Sequence, residues 1–87
     1  MPVKATNQVA KYLKRAPAVV NEDIKARIRE VEADPSLGKQ LTGRLAGKRS
    51  IRISSSALTQ RLVMIYEKKG DDLIIHKIGV RGEIYRP

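Results

Sequence analysis

Arg52, Arg61, Arg81 and Tyr85 are the residues of this sequence whose types and spacing can do chemistry, and that chemistry is the gripping of an anion. Arg52 alternates with Ile51 and Ile53 and so projects away from the face those residues bury. Arg61 opens the next apolar run, Arg81 follows the last one, and Tyr85 lies beyond it. In an antiparallel meander, the end of the first strand, the start of the second and the end of the third share one end of the sheet. The three guanidinium groups can therefore converge, and like charges held that close repel unless an anion joins them. The alternative is three solvated surface arginines. Other enzyme chemistries lack their parts. The spacing of Gly38, Gly43 and Gly47 fits neither phosphate-binding glycine loop. There is one histidine and no cysteine, which removes multi-histidine and thiolate metal sites. Asp71 and Asp72 read as turn residues rather than as a catalytic carboxylate pair.

The charge pattern points the same way. Eighteen Lys and Arg against nine Asp and Glu give +9 on 87 residues. Between Asp34 and Glu67 there is no acidic residue, while Lys39, Arg44, Lys48, Arg49, Arg52 and Arg61 all fall in that window. A segregated positive field draws a phosphate backbone to one side of a molecule. Lys48, Arg49 and Arg44 are the flanking candidates for contact with a nucleic acid.

These residues need elements to position them. Thr6 to Arg15 reads as a helix with Val9, Leu13 and Ala16 on one stripe and Thr6 or Asn7 as its cap. Pro17 opens a second helix reaching about Ala33, with Val20, Ile24, Ile28 and Val31 as its stripe and Asp34-Pro35 as its stop. Beyond Pro35 the spacing becomes that of strands. A glycine-punctuated loop or short strand carries Leu37, Leu41 and Leu45. The expected strands are Arg49 to Ser54, Gln60 to Lys68 and Leu73 to Val80, the last two joined by a tight turn at Lys69 to Asp72. The middle one is apolar on both faces and should be central. Met1 to Ala5 is a candidate edge strand. The expected fold is α+β: an N-terminal helical hairpin packed on one face of a three- to four-stranded antiparallel sheet, the other face left for solvent or a ligand. The length predicts one domain over residues 1–87, with an aliphatic core because Phe and Trp are absent.

Without cysteine nothing argues for secretion, no apolar run approaches the roughly 20 residues that cross a bilayer, and Met1 to Ala10 lacks the apolar block of a leader. The expected location is the cytoplasm, with no membrane partner.

From about Lys11 to Tyr85 the chain resembles the RelE/ParE superfamily of toxin–antitoxin systems. The residues that carry the resemblance are Tyr-Leu-Lys-Arg-Ala-Pro before the second helix, Asp-Pro after it, Leu-Thr-Gly-Arg-Leu-Ala-Gly, Arg-Ser-Ile-Arg-Ile, Gln-Arg-Leu-Val-Met-Ile-Tyr-Glu and Ile-Gly-Val-Arg-Gly-Glu-Ile-Tyr. Their order and spacing are more specific than any one of them. The resemblance, closest to the RelE-like mRNA interferases, implies the RelE-like microbial ribonuclease fold. It implies metal-independent endonucleolytic cutting of mRNA on the ribosome, no small-molecule cofactor, and a cognate antitoxin protein that neutralises the toxin. By the same resemblance Arg61 would hold the scissile phosphate, Arg81 would neutralise or help protonate the leaving group, Tyr85 would stack on or orient a base, and Arg52 falls where active members often carry a lysine, with Lys48 and Arg49 as its neighbours.

RNA brings its own nucleophile in the 2′-OH, so such an enzyme needs orientation and charge neutralisation more than a reactive side chain. A general base is the missing part. Arginine does not readily deprotonate. His76 has a suitable intrinsic pKa, but it alternates with Ile74, Ile78 and Val80 and is read as a structural residue of a buried face. Glu83 is the second candidate. Two other functions remain open: a ParE-like toxin that inhibits DNA gyrase, and a non-catalytic RNA-binding domain.

Overall fold

A computed structural model describes residues 2–80 and Ile84. The element order is a short strand β1 (Val3–Ala5), helices α1 (Asn7–Arg15) and α2 (Ala18–Ala33), then strands β2 (Lys39–Gln40), β3 (Arg49–Ile53), β4 (Leu62–Lys69) and β5 (Asp72–Val80). A single 3-10 turn, Gly43–Leu45, lies between β2 and β3.

The helices end where proline dictates. Ala16 N–H still donates to the Tyr12 carbonyl, and then Pro17, with no N–H to give, stands at the start of α2 rather than inside it. The Asn21 side-chain amide donates to the Leu13 carbonyl at 2.9 Å and ties the two helices into a hairpin. Asp34 closes α2 ahead of Pro35, and its carboxylate accepts both the Ser36 N–H and the Ser36 hydroxyl. Those two bonds, hydroxyl first, hold the Asp34 carboxyl below its ordinary value, with the Arg49 charge adding to the effect against a small desolvation cost.

The sheet order is β1-β5-β4-β3-β2. Strands β2 to β5 form antiparallel pairs, whereas β1 lies parallel to β5, with Val3 opposite Leu73. The α+β architecture matches the sequence expectation, and β4 takes the central position that its two apolar faces require. The expected three or four antiparallel strands become a five-stranded mixed sheet. The helical hairpin carries the chain from β1 at one edge to β2 at the other, and the meander then brings β5 back beside β1 in the parallel sense. Strand β2 is only two residues long, too short to leave a periodic signal.

One face of the sheet and the helical stripes form the main core. Val9, Val20, Ile24 and Val31 pack against Ile51, Ile53, Leu62, Met64, Tyr66, Leu73, Ile75 and Ile78, all buried. Burial of each such aliphatic side chain contributes roughly 1.5–3 kcal/mol. Tyr66 carries the one polar tip in this group, and it is satisfied. Its hydroxyl accepts the Gly38 N–H at 2.8 Å and donates to the Pro35 carbonyl at 2.9 Å, pinning the segment that leads from α2 into β2. Gly38 has to be glycine there: a Cβ would lie 2.6 Å from the Tyr66 hydroxyl and 2.8 Å from the Ser50 carbonyl oxygen.

Strand β5 carries a bulge. Ile65 pairs with Lys77, but Tyr66 pairs with Ile75, so His76 is the extra residue. Ile75 and Ile78, three apart, both reach the core, and His76 and Lys77 turn to the other face. This corrects the alternation that groups His76 with Ile78 on a buried face: the inserted residue sends Ile78 to the core, while His76 stays with Ile74 on the opposite side. The outer edge of β5 beyond β1 is closed by side chains. Thr6 stands at the N-cap of α1 but makes no cap bond. Its hydroxyl donates instead to the His76 carbonyl at 2.7 Å. Gln8 donates to the Ile78 carbonyl and accepts the Ile78 N–H, replacing a strand partner on both sides.

Candidate functional site

The face of the sheet turned away from the helices holds the charged residues. Strand register fixes which of them share it. Lys39 pairs with Ser50 across β2 and β3, and Arg52 pairs with Val63 across β3 and β4. Arg61 immediately precedes Leu62, whose side chain is in the core, and so continues the alternation onto the opposite face. Lys39, Arg52 and Arg61 thus occupy successive diagonal positions, each one strand over and one side-chain level along. Diagonal neighbours of this kind stand about 7–8 Å apart. All three are exposed. Among the described residues, no carboxylate pairs with any of them.

The middle of this face is not open. Val63 and Ile65 are buried beneath Leu41, Leu45 and Ile84, a second small apolar cluster. The expectation of a wholly free face is corrected to that extent. The segment between β2 and β3 folds over the sheet because Leu41 and Leu45 find apolar partners there, whereas Leu37 stays 47% exposed. Beside this cluster runs a groove of about 560 Å³ lined by Arg27, Lys39, Leu41, Ser50, Ile51, Arg52 and Val63. Its lining contains no acid. Arg27 reaches it from α2: its Nε donates to the Arg52 carbonyl at 3.2 Å and its Nη1 meets Glu30 Oε2 at 2.7 Å.

The sequence candidates divide accordingly. Arg52 and Arg61 are brought to one face. Arg44 is exposed in the 3-10 turn, and Lys48 is half-buried near Glu67. Arg49 is three residues from Arg52 and pairs with Tyr66, which puts it on the other side of β3. Its Nη1 donates to the Gly38 carbonyl at 2.9 Å, so it braces the β2 approach. Arg81, Tyr85 and Glu83 lie outside the described residues. Strand β5 ends at Val80 opposite Leu62, at the same end of the sheet as Arg61. Sequence spacing does not reveal Lys39 and Arg27 as site residues: Lys39 falls in the acid-free window, but a two-residue strand gives no register for it, and Arg27 reaches the groove from a helix.

His76 Nε2 lies 3.0 Å from Glu67 Oε1, with 26% and 23% of the two side chains exposed. The hydrogen bond from His76 holds the Glu67 carboxyl below its ordinary value against partial desolvation, and the charges of Lys48, His76 and Lys69 add to it. A carboxylate only accepts, so Nε2 carries the proton in this pair. Glu67 is four residues along β4 from Val63, the residue beside Arg52, a separation of about 13 Å along a strand. A general base must be within hydrogen-bond reach of its proton, so His76 is too far from Arg52 to serve an anion held there. Among the described residues no group of three or more His, Cys, Asp or Glu could hold a metal ion, and no helix is long and apolar enough to cross a membrane.

Comparison with known proteins follows the geometry. A chain of the intact E. coli RelBE toxin–antitoxin complex superposes with a TM-score of 0.73 at 15% identity, covering 91% of this chain and 94% of that one. The isolated E. coli RelE toxin gives 0.72 at 18% identity, with 97% and 89% covered. The YoeB/ParE toxin from Agrobacterium tumefaciens gives 0.66 at 21% identity, with 93% and 99% covered. At these identities the likeness establishes a shared RelE-like fold. Among curated proteins no sequence match is found. A family model for the ParE-like toxin of type II bacterial toxin–antitoxin systems matches residues 3–87, nearly the whole sequence, and the chain therefore belongs to that toxin family.

Proposed function

We propose that the chain is a metal-independent endoribonuclease that cuts mRNA on the ribosome and is held inactive by a cognate antitoxin. The observation that carries this reading is the placement of Arg52 and Arg61 on one exposed face, without a carboxylate partner among the described residues, in a chain of this toxin family. Arginines left without carboxylates and separated by a diagonal step suit the oxygens of a phosphodiester, which accept bidentate guanidinium bonds. In this reading Arg61 holds the scissile phosphate. Arg52 neutralises charge beside it. Arg81, which directly follows the end of β5, neutralises the leaving oxygen, and Tyr85 stacks on a base. The 2′ oxygen attacks phosphorus as its proton passes to water, the bond from phosphorus to the 5′ oxygen breaks, and that oxygen takes up a proton. The products are a 2′,3′-cyclic phosphate and a 5′-hydroxyl. Arg44 and Lys48 add to the field that attracts RNA. Arg49, engaged with the Gly38 carbonyl, contributes charge rather than contact.

Controlled expression followed by primer extension on translated mRNA tests the reading. Discrete cuts within codons, lost in Arg61→Ala, support it. Intact message with blocked replication would overturn it in favour of gyrase inhibition, the second reading, which the ParE-like family model favours. Co-purification with the product of an adjacent reading frame tests the antitoxin.

A further inference from the structure

The diagonal row on the open face does not stop at the two arginines placed in the reaction. It extends past Arg52 to Lys39, and there the sheet surface deepens into the groove that Arg27 borders. We infer that this groove, with Lys39, Arg52 and Arg27 around a floor of Leu41 and Val63, is a nucleotide subsite that holds the RNA residue next to the cleaved bond. The inference rests on the endoribonuclease reading and adds to it a direction: the strand crosses the sheet diagonally, from Arg61 over Arg52 toward Lys39.

Three independent features of the groove support a nucleotide rather than a bare ion. First, its rim is cationic and its lining lacks acids, so a phosphate entering it meets no opposing carboxylate. Glu30 lies on the far side of Arg27 and offsets only the Nη1 end of that guanidinium. Secondly, its floor is aliphatic. Leu41, partly exposed and packed on the second apolar cluster with Val63 buried under it, gives the flat surface of a base something to cover, while the phosphates on either side reach Lys39 and Arg52. Thirdly, the volume of about 560 Å³ is in the range of small-ligand clefts. Ser50 is the one uncharged polar side chain in the lining. With a single hydroxyl to read a base edge, the subsite binds by charge and surface contact and discriminates weakly among bases.

Arg27 has a second part in this subsite. Through its bond to the Arg52 carbonyl it fixes the backbone from which Arg52 projects. It is thus a positioning residue for Arg52 as well as part of the groove wall.

The test is equilibrium binding of a short single-stranded oligoribonucleotide with one 2′-deoxy residue to block cleavage, followed as a function of salt, with cleavage read separately by primer extension on ribosome-bound mRNA. Neutralising one phosphate contact lowers the slope of log K against log salt by about 0.7 for a single strand. Lys39→Ala should lower the slope by about that much and weaken binding several-fold. Lys39→Arg should restore both slope and affinity. Arg27→Lys, which keeps the charge but loses the Nε bond, should keep the slope and lower the cleavage rate. Lys39→Ala with unchanged affinity and slope, in a protein that binds and cleaves, would overturn the subsite and leave the nuclease reading intact. Wild-type protein that binds with the expected Lys39 dependence but leaves ribosome-bound mRNA intact would overturn the nuclease reading alone. Wild-type protein that does not bind the oligomer yet cuts ribosome-bound mRNA would overturn the subsite alone.

Discussion

The imidazole Nε2 of His76 donates to Glu67 Oε1 across β5 and β4, 3.0 Å away, on the face of the sheet opposite Ile75 and Ile78. This contact makes Glu67 a measurable acid-side stabiliser. It holds the carboxyl below the ordinary glutamate value in the folded chain. A depressed carboxylate pKa contributes stability that is fully present above the unfolded value and is lost as pH falls through the folded value. The stability difference between wild type and Glu67→Gln should therefore be constant above about 4.5 and should shrink as the pH is lowered further. Thermal unfolding followed across the acid range checks this; a difference independent of pH would refute the assignment.

Tyr66 and Gly38 should fail in the same manner when altered. Tyr66→Phe leaves the Gly38 N–H and the Pro35 carbonyl without their partner, at a cost of about 1–3 kcal/mol for buried groups so stranded. Gly38→Ala pushes a methyl into the hydroxyl and the Ser50 carbonyl, and overpacking of that kind costs about 1–3 kcal/mol. Because both act on one contact, the double variant should lose less than the sum of the single ones. Denaturant unfolding of the three proteins gives the numbers.

Gln8→Ala should expose the outer edge of β5. Two backbone bonds to Ile78 disappear, with a loss of about 1–3 kcal/mol if water does not replace them. Amide exchange at Ile78 should accelerate by more than exchange at the β4 amides, which keep their strand partners on both sides. Equal acceleration throughout would show that Gln8 supports global stability instead of this edge.

Arg52→Ala and Arg61→Ala should each lower the cleavage rate by a factor of about 10² to 10³, the usual cost of one charge-stabilising donor. Both side chains are exposed, so the unfolding temperature should barely move. Single-turnover cleavage and calorimetry on the same samples separate the two effects. A large drop in unfolding temperature would reassign either residue to a structural role.

How far the sequence reveals this arrangement differs from element to element. The helices are legible because Val20, Ile24 and Val31 repeat at helical spacing and Pro17 and Pro35 punctuate them. Strand β4 is legible as central because Leu62 to Tyr66 are apolar without alternation. The common face of Arg52 and Arg61 follows from their neighbours Ile51, Ile53 and Leu62. What is not legible depends on partners distant in the chain. A bulge is a relation between two strands, and nothing local to Ile75, His76 and Lys77 announces it. The pairing of Lys39 with Ser50 depends on Tyr66 pinning Gly38, a contact made across 28 positions. The covering of Val63 and Ile65 by Leu41, Leu45 and Ile84 likewise joins segments whose own patterns are too short to read.

The parallel pairing of β1 with β5 sets a schedule for the molecule's birth. Thr6 meets His76 seventy residues later in the chain, so β1 has no seat until β5 has been made. Closing so long a loop carries an entropic cost before any contact repays it, and sheets built on distant pairings fold slowly for that reason. The nascent chain can form its helical hairpin early, but β5 is needed to complete the surface on which Arg52 and Arg61 stand together. Assembly of that surface is therefore timed by β5, some seventy residues behind the strand it seats.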